Sequence, residues 1–139
     1  MGIRRTGLAW LFLLAAPLAC MAREEATQPA QNAARAWLAL TDGGQYDASW
    51  DQAAAFFKAS ITRAAWSGAV ASVRSPLGPL KARKLRSATF MRQLPGAPAG
   101  EYVVIQYETQ FQNRAGAIET ITPMRESDGS WKVSGYFIK

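Results

Sequence analysis

The hydrophobic period of this chain changes once, and that change sets the order of its structural classes. Before the connector Pro76-Leu77-Gly78-Pro79, apolar residues recur every three to four positions; from Leu80 onward they alternate. The first rhythm turns one stripe of a helix toward a core, and the second turns one face of a strand there. Helices must therefore come first and strands second. The 139 residues suit one domain.

On the helical side, Ala30, Ala33, Ala34, Trp37, Leu38 and Thr41 share a face. A first helix is expected from residue 30 to about Leu40, ended by Asp42-Gly43-Gly44. Residues 23–29 read as a flexible polar lead-in, with Thr27 and Pro29 marking the helix start. Ser49-Trp50-Asp51-Gln52 matches a capping box, opening a second helix with Trp50, Ala53, Ala54, Phe57 and Ile61 on one face. A third helix, about Thr62 to Val73, carries the stripe Trp66, Ala69, Val70 and Val73. The tryptophans at this spacing read as core packing. Pro76 disfavours helix at Ser75.

Four strands are expected after the connector. The first spans Lys81 to Gln93, and a rigid loop, Leu94-Pro95-Gly96-Ala97-Pro98-Ala99-Gly100, leads to the second, Glu101 to Gln112. In that strand Val103, Ile105, Tyr107 and Phe111 alternate with Gln106, Glu108 and Gln110. Asn113 to Gly116 turns the chain into Ala117 to Arg125, where Ile118, Thr120, Thr122 and Met124 share a side. Asp128-Gly129 is a hairpin signal before a last strand in which Trp131, Val133 and Phe137 alternate. The expected fold class is α+β: three N-terminal helices packed on one face of a four-stranded antiparallel meander, residues 30–139 forming the single domain.

The chain has no His and one Cys. Its composition therefore lacks the commonest general base and transition-metal ligand and any internal disulfide, which excludes His-dependent serine and cysteine hydrolases. Residues 1–22 read as a signal peptide, with Arg4 and Arg5, an apolar run from Gly7 to Leu18, and the small-residue exit Ala19-Cys20-Met21-Ala22. The run is too short to span a membrane. Cleavage after Ala22 is favoured; the alternative is lipidation at Cys20, although Pro17 and Leu18 fit the lipoprotein pattern imperfectly. Loss of Arg4 and Arg5 leaves fourteen basic against ten acidic residues, a net charge of +4. This modest charge does not by itself imply a nucleic-acid partner, and export argues against one.

The chain resembles a known family through Trp37-Leu38-Ala39-Leu40-Thr41-Asp42-Gly43-Gly44-Gln45-Tyr46, Ser49-Trp50, Phe56-Phe57-Lys58 and Trp66. The likeness continues through Arg74-Ser75-Pro76-Leu77-Gly78, Arg83, Leu94 to Pro98, Gly100 to Val104, Glu119-Thr120 and Asp128 to Tyr136. Together these look like the bacterial domain of unknown function number four thousand nineteen. The resemblance covers essentially the whole mature chain and implies a small exported protein of Gram-negative bacteria with no assigned activity. Ala99 departs from it, standing where the family's loop usually has Asp before Gly, which counts against a metal or anion role for that loop. The helices-then-sheet order is also similar to cystatin-like and nuclear-transport-factor-like cones, a likeness of fold alone.

The densest charge cluster is Lys81, Arg83, Lys84 and Arg86, with Arg92 on the same strand. As a binding site, Arg83, Lys84, Arg86 and Arg92 would meet a phosphate, a lipid headgroup or an acidic partner; the favoured reading is an edge strand defended by charge. Strand alternation puts Lys84, Arg86 and Arg92 on one face and Lys81 and Arg83 on the other. Glu119 and Arg83 lie on strands and can pair across the sheet, and Arg74 can cap the third helix's carbonyls. Asp42, Asp47 and Asp51 fall near helix ends, where capping explains them better than calcium does. No catalytic residue, metal ligand or cofactor is expected. The expected function is exported, periplasmic and non-enzymatic: binding of an envelope protein or a small ligand. Two alternatives stand beside it. One is a carboxylate–tyrosine enzyme, marked by a deep pocket holding a carboxylate beside Tyr102, Tyr107 or Tyr136; the other is an accessory lipoprotein anchored through Cys20.

Overall fold

The computed structural model describes residues 18–139. Most of the expected signal segment, and the side chain of Cys20, lie outside the described residues. Among the described residues, four helices, α1 (Leu18–Asp42), α2 (Tyr46–Asp51), α3 (Ala55–Ser60) and α4 (Arg63–Leu77), precede four strands. These are β1 (Leu80–Met91), β2 (Tyr102–Phe111), β3 (Arg114–Arg125) and β4 (Trp131–Ile138). The sheet is an antiparallel meander in the order β1-β2-β3-β4, so the α+β expectation holds and β1 and β4 are its edges.

The helical boundaries depart from those that periodicity predicts, each for a physical reason. α1 runs through Pro29, and the lead-in expected over 23–29 is helical. Pro29 removes one helical donor, but Thr27, Ala30, Gln31, Ala34, Trp37 and Leu38 are all buried, and that packing carries the helix across it. The second helix expected from sequence is two. Ala53 and Ala54 are fully buried between them, and the Ala54 N–H donates to the Val133 carbonyl at 2.8 Å instead of continuing the helix. The Glu126 carboxylate then accepts from Ala55 N–H at the start of α3. Ser49 caps no helix start; its hydroxyl donates to the Tyr46 carbonyl inside α2.

α4 begins as expected, with the Thr62 hydroxyl accepting from Ala65 N–H at 3.2 Å. It continues past Pro76 to Leu77 because the β2–β3 turn satisfies its last carbonyls: Asn113 donates to those of Pro76 and Leu77. Gly78, at φ 74°, then reverses the chain in a region that favours glycine.

The core lies between the helices and one face of the sheet. It joins Trp37, Leu38, Phe57, Trp66 and Val70 to Val103, Ile105, Tyr107, Ile121 and Val133. Trp66 packs edge-on against Phe57 (4.9 Å between centroids) and tilted against Trp37 (5.8 Å). Register shifts in both edge strands change which side chains face this core. In β1 they fall between Leu80 and Ala82 and between Leu85 and Ser87, so Lys81 and Arg86 are the extra residues and simple alternation fails there. In β4, Thr122 pairs Gly135 but Pro123 pairs Val133, leaving Ser134 unpaired. That bulge swaps the expected faces: Phe137 is half exposed, and Tyr136 points into the core.

Candidate functional site

The most concentrated chemistry among the described residues is a buried network that ties the helices to every strand of the sheet. Asp42 ends α1, Arg74 lies in the last turn of α4, Arg83 sits on β1, Thr109 on β2, Glu119 on β3 and Tyr136 on β4. Glu119 is fully buried. One of its oxygens accepts from Arg83 Nε (2.7 Å) and the Thr109 hydroxyl (2.5 Å); the other accepts from Arg83 Nη2 (3.1 Å) and the Tyr136 hydroxyl. Arg83 also reaches Asp42 through Nη1 (2.7 Å) and Nη2 (2.9 Å). Asp42 accepts from Arg74 Nη2 at 2.9 Å as well, and Arg74 bonds the Thr41 hydroxyl.

Two guanidinium groups thus face two carboxylates, and the cluster is charge-balanced. Burial opposes the Arg83 charge, but the hydrogen bonds it donates to Asp42 and Glu119 more than offset this and hold its pKa above the ordinary arginine value. Burial, reinforced by the adjoining Glu119 charge, pushes the Tyr136 phenol far above the usual tyrosine range. With four donors around it, Glu119 has no acceptor site left for a substrate proton. The tyrosine–carboxylate pair that an enzyme would require is present, at Tyr136 and Glu119, but the carboxylate is fully buried and the tyrosine partly so, rather than both facing a deep pocket. Arg83 and Thr109 also line a depression of about 440 Å³ on the sheet, together with Lys84, Glu108 and Ile118.

Two polar atoms in this region lack partners: Arg74 Nε and the Tyr107 hydroxyl. Arg74 lies over the Phe111 ring at 4.8 Å, so its guanidinium is held by a π face as well as by Asp42. Burial raises the pKa of Tyr107.

The residues singled out from sequence do not converge. Arg83 turns inward to the network, and its pairing with Glu119 is as expected. Lys84 stands opposite Glu108 in register, Arg86 sits at a bulge, and Arg92 follows the end of β1 beside the Phe90 ring. All three are exposed. The face assignment from strict alternation is therefore corrected: the bulges break it, and Arg83 leaves the surface set. Arg74 is corrected too; it binds side chains of α1 and caps no carbonyl. Asp47 and Asp51 are both held by Arg63, at 3.1 and 2.8 Å. The Arg63 hydrogen bond lowers the Asp51 pKa. Tyr102 donates to the Pro98 carbonyl at 2.5 Å and pins the Pro-rich loop. Among the described residues, no group of three or more acidic or cysteine side chains stands close enough to hold a metal ion.

Sequence reasoning missed Asp42 as the hub between Arg74 and Arg83, and Tyr136 as a partner of Glu119. The first had a usable signal: an acid before Gly43-Gly44 at a helix C-terminus opposes the helix dipole, so it needs a cation elsewhere. The second had a weak one: Gly135, isolated within the last strand's pattern beside Ser134, is the kind of residue that marks a bulge.

On the surface, the α4 stripe is only half used: Trp66 and Val70 are buried, while Ala69 and Val73 are exposed. With Tyr136, Phe137 and Ile138 of the edge strand, they line an apolar groove of about 230 Å³.

Comparison with curated proteins and with solved structures finds no match. The family profile described as a protein of unknown function, DUF4019, matches residues 33–136, which span α1 from its middle through to Tyr136 of β4 and include every member of the buried network. This chain belongs to the DUF4019 family.

Proposed function

We propose that the protein is an exported, periplasmic, non-enzymatic domain that binds another component of the cell envelope. The observation that carries this reading is the closure of the Arg74–Asp42–Arg83–Glu119–Tyr136 network. A catalytic carboxylate must reach its substrate, and Glu119 is fully buried with its acceptor positions filled. The cluster acts instead as a rivet between helices and sheet, leaving the surface to do the work. Export is supported by the signal-like residues 1–22, with Arg23 as the mature N-terminus.

Two experiments test this reading. Intact mass of the exported protein should correspond to a chain starting at Arg23; three acyl chains on Cys20 would replace the free periplasmic form with a lipoprotein. Affinity capture from envelope extracts should retain a component stoichiometrically. Turnover of a periplasmic metabolite that disappears in a Tyr136→Phe variant would overturn the non-enzymatic reading.

A further inference from the structure

The backbone of β4 carries the binding reading to a particular surface and a partner chemistry. Ile118 and Lys139 exchange both of their backbone hydrogen bonds, at 2.9 Å each. In an antiparallel ladder such pairs alternate, so Phe137 and Gly135 also bond toward β3, while Tyr136 and Ile138 point their N–H and C=O groups to the free edge. Further along, that edge is already closed, since the Val133 carbonyl accepts from Ala54. The fold covers one half of its edge strand and leaves a short window at Tyr136 to Ile138.

That window opens on the α4–β4 groove. Trp66, Val70 and Val73 form the helical wall, and Phe137, 51% exposed, stands at the sheet side. An edge strand beside a helix, with unpaired backbone between them, accepts an extended chain: main-chain bonds hold it and alternate side chains enter the groove. The groove's lining contains no carboxylate, and the charged side chain adjoining the window is Lys139, whose ammonium lies by the Phe137 ring. Lys132 stands at the other end of β4.

We propose that this window is a strand-addition site for an extended polypeptide segment of a partner protein, with alternating apolar side chains and an acidic flank. The proposal rests on the binding reading above. Apolar contacts with Val73 and Phe137 and pairing with Tyr136 and Ile138 hold the segment, and Lys139 meets its acidic end.

The probe is a short fluorescent peptide alternating Val and Thr and ending in two Glu, added to the full mature chain. Binding is followed by anisotropy, and backbone exchange at Tyr136 and Ile138 by NMR. With peptide at about ten times its Kd, exchange at these two amides should slow about tenfold, because protection follows the ratio of bound to free site. Val73→Glu alters an exposed position and should weaken binding at least about tenfold without changing the fold, by placing a like charge in the groove. Ile138→Pro removes an outward N–H together with an apolar side chain lining the groove, and should weaken binding as well, more than Ile138→Ala, which keeps the N–H.

Unchanged exchange at Tyr136 and Ile138 would overturn the proposal. So would equal binding by a peptide N-methylated at alternate amides, or by one ending in Lys. Protection of both amides in a peptide-free protein that sediments as a dimer would assign the window to a second copy of this chain instead. Should the peptide fail while Val73→Glu still captures an envelope component, the binding surface lies elsewhere and the non-enzymatic reading stands. Should it fail alongside metabolite turnover, both fall.

Discussion

Replacing Arg83 by methionine isolates the energetics of the buried network. The change removes two hydrogen bonds to Glu119 (2.7 and 3.1 Å) and two to Asp42 (2.7 and 2.9 Å). Asp42 keeps Arg74, and its side chain retains some water access; Glu119, fully buried, is left with only Thr109 and Tyr136. An uncompensated buried carboxylate costs about 3–5 kcal/mol, against about 5–15 kcal/mol of total stability for a domain. Glu119→Met should cost about 3 kcal/mol, because Arg83 retains Asp42 while two hydroxyls lose their acceptor. The double variant contains neither the stranded carboxylate nor the stranded guanidinium. It should cost little more than Glu119→Met alone, so the coupling should approach the cost of Arg83→Met itself, about 3 kcal/mol or more. Urea unfolding followed by tryptophan fluorescence measures all four corners, read as midpoint shifts at constant slope. Arg83→Lys retains the charge but cannot fork between two carboxylates, and should fall between wild type and Arg83→Met. Additive single effects, within about 0.5 kcal/mol, would refute the argument that the pair acts as a unit.

The buried Tyr107 and the partly buried Tyr136 should respond oppositely to loss of the hydroxyl. Tyr107→Phe removes an unpaired buried hydroxyl and should be neutral or stabilising by up to about 1 kcal/mol, whereas Tyr136→Phe removes a donor to Glu119 and should cost about 1.5–3 kcal/mol in the same unfolding assay. Stability should fall above about pH 10, where unfolded tyrosines ionise while Tyr136 keeps its proton; the native chain then holds more protons, so raising pH favours unfolding. Urea midpoints across that range should lose about 1.4 kcal/mol per pH unit from this group, and Tyr136→Phe should remove that contribution. Trp66→Ala should cost about 3–5 kcal/mol, since the side chain is buried and its indole N–H donates to the Ser49 hydroxyl. Trp50, only partly buried, should cost less, and equal losses in thermal unfolding would show that the two play the same part.

Much of the architecture is legible in the sequence by itself. The order of helices and strands, the Trp66 and Val70 half of the α4 stripe, the inward set of β2 and the turn at Gly129 all follow from local periodicity and turn chemistry. A periodic pattern or a positive-φ glycine (Gly129, φ 86°) leaves a local trace of each. The edge position of β1 also follows from chain order in a meander, and the Arg83–Glu119 pair from opposite charges on strands of one sheet.

Only the tertiary structure decided the rest. Ala54 breaks a helix because a carbonyl on β4, far along the chain, competes for its N–H. α1 crosses Pro29 because packing outweighs a lost donor. Ser134 bulges and thereby brings Tyr136, rather than Phe137, to Glu119. Asp42 pairs with Arg74 and Arg83 instead of serving its own helix. In each case a polar or apolar group satisfied itself with a partner distant in sequence, and local propensity, worth at most about 1 kcal/mol per residue outside proline, was outweighed. Apart from the Arg83–Glu119 pair, the candidate site is made of those distant pairings, and for that reason it is visible in the fold and not in the string of residues.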